Sequence, residues 1–184
     1  MERKIIFTVL ILTIILFASS MASTVAANRG QTKKEYVDYK FEAILVNPVT
    51  KIISPAPNLV VEGYRPASGI QSCVVTINDI KYSYPEDFDY AENFTVKMNL
   101  ITGKGILEVV TSLTFKIPGK PTLTEYLTVN TTITNAGTLA EGTFYLIGTK
   151  TFNQVVGFGI EPETYTTPGI DNALHLGQIT GWPF

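Results

Sequence analysis

Between Phe94 and Phe158 the chain repeats one pattern: runs of alternating apolar and polar residues separated by glycine-marked turns. Phe94, Val96, Met98 and Leu100 alternate with Thr95, Lys97 and Asn99. Successive side chains of a strand point to opposite faces, so this run predicts a half-buried strand. Thr102-Gly103-Lys104-Gly105 turns the chain into a second run, where Leu107, Val109, Leu113, Phe115 and Ile117 oppose Glu108, Ser112, Thr114 and Lys116. After Pro118-Gly119-Lys120-Pro121 the pattern resumes over Leu123 to Ile133, turns at Asn135-Ala136-Gly137 and returns over Leu139 to Gly148. The result is a meander of at least four antiparallel strands. A sheet this rich in Thr, Val, Phe and Tyr must bury one face, and no segment after residue 27 shows helical periodicity beyond two turns. The predicted class is therefore all-β: an antiparallel β-barrel, alternatively a two-sheet β-sandwich.

The flanks extend this plan. Tyr39 to Val46 predicts the first strand, ended by Asn47-Pro48 because proline cannot donate to a ladder. Lys51 to Pro66, with three prolines, fits short edge strands or an irregular crossing loop, while Gly69 to Asn78 and Ile80 to Tyr84 form two further strand candidates. Phe152 to Ile160 adds one more through Val156 and Phe158, followed by a loop over Glu161 to Gly169. Ala173 to Thr180 predicts a short last strand, with any helix confined to Asp171 to Leu176, and Trp182 and Phe184 supply an aromatic end.

With 184 residues the chain is long enough for one sizeable core and short for two. A formal charge of -2 offers no basic field for a nucleic-acid backbone. Cys73 is the only cysteine, which excludes an internal disulfide and a thiolate metal site and reads as a small buried strand residue. Glu2-Arg3-Lys4 precedes an apolar segment, and Val25-Ala26-Ala27 offers small residues for a signal peptidase. Residues 1–27 thus read as a secretory signal cleaved before Asn28. The alternative is an uncleaved anchor helix, since the 18 residues from Ile5 to Ala22 reach the lower limit for spanning a bilayer. Position 21 is Met, which excludes the usual lipidated-cysteine attachment. Residues 28–38 then form an exposed leader and 39–184 a single β domain, secreted or held outside the cell at its N-terminus.

Catalytic chemistry is sparse. His175 is the only histidine, and neither a glycine-serine elbow nor a phosphate loop is present. Glu125 shares strand parity with Leu123, Leu127 and Ile133, so it points toward the core side, where a carboxylate must find a partner or hold its proton. Glu125 and His175 are therefore the candidate catalytic residues. Glu86, Asp87 and Asp89 lie among tyrosines in one loop and are candidates for a hard cation. Asn93-Phe94-Thr95 and Asn130-Thr131-Thr132 match the N-glycosylation pattern and would mark wet faces at Asn93 and Asn130. No cofactor is indicated.

Thr102-Gly103-Lys104-Gly105 before a strand, Leu113-Thr114-Phe115 within it and Gly142-Thr143-Phe144 two strands later give the meander a rhythm that resembles the small calycin-like barrels of the allene oxide cyclase and dirigent type. The resemblance covers Phe94 to Phe158. It implies a barrel that encloses a small apolar ligand or guides its cyclisation or coupling, and it carries over no catalytic set.

Three functions fit this reading. The first is a non-catalytic β domain binding a small apolar molecule or a surface protein, with Phe94, Met98, Phe115, Glu125, Leu127 and Phe144 around the ligand. The second is a self-assembling cell-surface or filament subunit, a homo-oligomer whose leader adds a strand to a neighbour's edge. The third is a cofactor-free isomerase or cyclase using Glu125 or His175. Membrane contact is expected only through residues 1–27 if they are retained.

Overall fold

The computed structural model describes residues 35–135, 137–166 and 170–184. The expected signal or anchor, most of the leader and the tip of the loop before Ile170 lie outside the described residues.

Eleven strands follow in chain order: β1 Tyr36–Val46, β2 Val49–Ser54, β3 Asn58–Arg65, β4 Ile70–Ile77, β5 Ile80–Ser83, β6 Phe88–Asn99, β7 Lys104–Phe115, β8 Thr122–Thr134, β9 Gly137–Gly148, β10 Val156–Thr166 and β11 Ile170–Thr180. Single 3-10 turns at Ala67–Gly69 and Lys150–Phe152 are the only helical pieces among the described residues. The strands form one antiparallel sheet in the order β2-β3-β6-β7-β8-β9-β10-β11-β1-β4-β5. The expected meander is its centre, β6 to β9, with Gly103 at φ +64 in the β6–β7 turn.

The sheet is curled into a half-barrel, consistent with the resemblance to calycin-like barrels. Phe41 on β1 and Tyr90 on β6 are six strands apart in the sheet, a separation of about 29 Å if it were flat. Their rings nevertheless stack with centroids 6.3 Å apart. All strands belong to one sheet, so the two-sheet sandwich does not describe the fold.

Glycines make the tightest part of this curl. Gly159 and Gly177 face each other across β10 and β11, and the Phe144 ring fills the space above them. A Cβ on Gly159 would lie 2.5 Å from Phe144 Cζ and 2.3 Å from the Leu176 carbonyl. Bare backbone lets the two strands bend inward over the ring.

Several sequence-based boundaries shift. β1 begins at Tyr36, inside the expected leader, and pairs with Thr180 at the end of β11. β6 begins at Phe88 instead of Phe94, because Phe88 is itself a core residue paired with Phe115. Lys51 to Pro66 contains most of β2 and all of β3, a hairpin with a register shift between Ile52 and Ser54. Glu161-Pro162-Glu163 lies within β10 at a register shift and is not a loop, and the residues allowed for a short helix at 171–176 are strand β11.

The concave face divides into two halves. At one end Leu113, Phe115, Leu123, Leu146 and Ile179 pack solidly, and Phe152 and Trp182 close it with centroids 4.7 Å apart. Toward the other end the inward side chains stop short of filling the space.

Candidate ligand-binding cavity

The unfilled half holds a cavity of about 350 Å³, room for about twelve waters at their liquid volume. Its apolar wall comes from alternate residues of the meander: Phe94, Val96 and Met98 on β6, Leu107 and Val109 on β7, and Leu127 on β8. These are the inward positions that the period-two pattern dictates. Exposed Pro48, with Ile170 and Asp171, rims the mouth.

The opposite wall is polar. Arg65 is buried at the end of β3, where each of its three nitrogens donates a hydrogen bond. Its Nε donates to Glu92 Oε1 at 3.0 Å, Nη2 to Asp171 Oδ2 at 3.1 Å and Nη1 to the Val46 carbonyl at 3.3 Å. The Tyr90 hydroxyl donates to the other oxygen of Glu92, and burial together with Glu92 pushes that phenol well above its ordinary pKa. Burial also pushes up the Asp171 carboxyl, a change that Arg65 opposes.

Behind this wall Glu125 is 1% exposed. Its Oε1 lies 2.6 Å from His175 Nδ1 as an ion pair, and its Oε2 accepts from the Tyr39 hydroxyl at 3.2 Å. Burial lowers the imidazole pKa, but Glu125, with Glu161 and Asp171, overrides this and leaves it raised. The His175 ring lies flat on Phe41 with centroids 4.7 Å apart and faces the cavity. Its Nε2 is buried with no hydrogen-bond partner. An imidazole oriented by a carboxylate on one nitrogen can exchange a proton or hydrogen-bond a guest through the other. Cys73, next to Ala43 on β4, is buried, and desolvation pushes its thiol up to about 12, so it is a packing residue and not a nucleophile.

Glu161, on β10, completes the wall. It is 7% exposed and lines the cavity, and it makes no hydrogen bond or ion pair to the described residues. Burial raises its carboxyl from 4.5 to about 7, while His175 pulls the other way.

Of the residues singled out from sequence, Phe94, Met98, Leu127 and His175 line the cavity. Glu125 sits behind His175, Phe144 packs on the glycines and 5.6 Å from the imidazole, and Phe115 belongs to the filled aromatic end. Asn93 and Asn130 are exposed on β6 and β8. Glu86, Asp87 and Asp89 are exposed, and two of them take separate partners: Asp87 accepts from the Ser83 N–H at 2.7 Å and Asp89 pairs with Lys116 at 3.1 Å. No group of three or more His, Cys, Asp or Glu among the described residues is placed to hold a metal ion. Arg65, Glu92, Glu161 and Asp171 are site residues that strand parity alone did not reveal. No protein-family model, curated protein or solved structure matches the chain, so its site rests on its own geometry.

Proposed function

We propose that this is an exported, non-catalytic β domain that holds a small, largely apolar molecule in the cavity of its half-barrel. The observation that carries the reading is the cavity itself. Inward side chains at one end are buried against one another, whereas the same strands at the other end leave about 350 Å³ between an apolar wall and a polar one. Its size lies in the range of small-molecule sites, and its lining is mostly apolar with a few polar groups. Export is supported by the basic residues and apolar run at the N-terminus.

Fluorescence titration with the neutral apolar probe N-phenyl-1-naphthylamine tests the reading. The full chain should bind it saturably with one-to-one stoichiometry, and Val96→Trp, which fills the cavity from its half-buried rim, should weaken binding by about tenfold or more while preserving the folded state. Equal binding by both proteins would place the probe elsewhere and remove the reading.

A further inference from the structure

The charges around the cavity are unbalanced. Glu92, Glu125, Glu161 and Asp171 face it or stand directly behind its wall, against Arg65 and His175. Arg65 is already engaged by Glu92, Asp171 and a backbone carbonyl, and His175 Nδ1 by Glu125, which leaves His175 Nε2 as the ring donor facing the space. No lysine lines the space among the described residues. An anionic guest such as a fatty acid would therefore meet more carboxylates than available cations. A carboxylate buried this deeply needs a donor, and Glu161 has none among the described residues although it faces the empty volume.

We propose that the cavity selects an apolar molecule bearing a protonated amine, with the ammonium group bound to Glu161 and the apolar part lying along Met98, Val109 and Leu127. This inference rests on the ligand-binding reading above and specifies its ligand class. The ammonium donates up to three hydrogen bonds and neutralises a cavity-lining carboxylate that has no partner among the described residues. At a pH of about 8 a simple alkylamine is still cationic and Glu161 is ionised.

Isothermal titration of the full chain with octylamine, octanol and octanoate at that pH tests the inference. Octylamine should bind about tenfold tighter than octanol, and octanoate weakest, as expected for a charge-assisted pair replacing a neutral one. Glu161→Gln should remove the preference for octylamine over octanol, and Glu161→Asp should retain it. If octanol or octanoate binds as tightly as octylamine, or if the amine preference survives Glu161→Gln, the inference is overturned and the ligand-binding reading stands. If none of the three binds, both fall.

Discussion

Glu161 and His175 carry their protons more tightly in the folded chain than in the unfolded one, and this fixes the sign of the pH dependence. The Glu161 carboxyl is raised by burial from 4.5 to about 7. Its contribution to stability is therefore complete below 4.5 and is lost as pH rises through 7. His175 is raised above 6.5 because the carboxylates beside it outweigh its burial. Its contribution has the same sign, complete below 6.5 and lost as pH rises through the higher folded value. The unliganded protein should therefore lose stability between about pH 5 and pH 8, with Glu161 accounting for roughly 3 kcal/mol of the change. Urea unfolding at the two pH values checks this. Glu161→Gln should match the parent at the lower pH and exceed it at the higher one, whereas parallel profiles would mean that Glu161 is solvated in the native state. The direction is the reverse of that for a salt-bridged carboxylate, because this one lacks a cation.

At the level of elements, what could be read in advance depended on whether the inward positions were apolar. In β8, Leu123, Leu127 and Val129 are inward and buried, so alternation located both the strand and the inward direction of Glu125. β10 inverts the rule. Val156, Phe158 and Ile160 suggest a core face, yet they are 49%, 58% and 52% exposed. Their neighbours Gly157 and Gly159 face inward because Phe144, Leu146 and Ile179 from adjacent strands already occupy the space. Glycines carry no hydrophobic signal, so the inward parity that leads to Glu161 was invisible, and Pro162 beside it looked like a loop. Arg65 and Asp171 escaped for a different reason. They lie at strand ends on β3 and β11, far apart in sequence, and only the curl of the sheet brings them within 3.1 Å. The glycine pair gives a prediction of its own. Gly159→Ala should destabilise the domain by about 1–3 kcal/mol in urea, since the added methyl meets the Leu176 carbonyl and not merely a movable side chain. Phe144→Leu should fail to rescue it. An unchanged midpoint would show that β10 and β11 can separate freely.

Across the whole molecule the half-barrel is asymmetric along its strands. One end is sealed by Phe115, Phe152 and Trp182. The other end keeps its volume, and a layer of buried carboxylates, Arg65 and His175 borders it. The convex face is also partly apolar: Phe158, Tyr145 and Tyr126 lie in register across β10, β9 and β8, with the two tyrosine rings stacked at 4.7 Å. A small apolar molecule therefore has two places to go, and binding alone does not separate them. Methyl chemical-shift mapping during an octylamine titration does, because labelled methyls report from both faces. The account predicts saturable shifts at Met98, Val109 and Leu127, with Leu113, Leu123 and Leu146 at the sealed end unmoved. Shifts confined to Ile147, Ile160 and Leu176 on the convex face, with the cavity methyls silent, would contradict it.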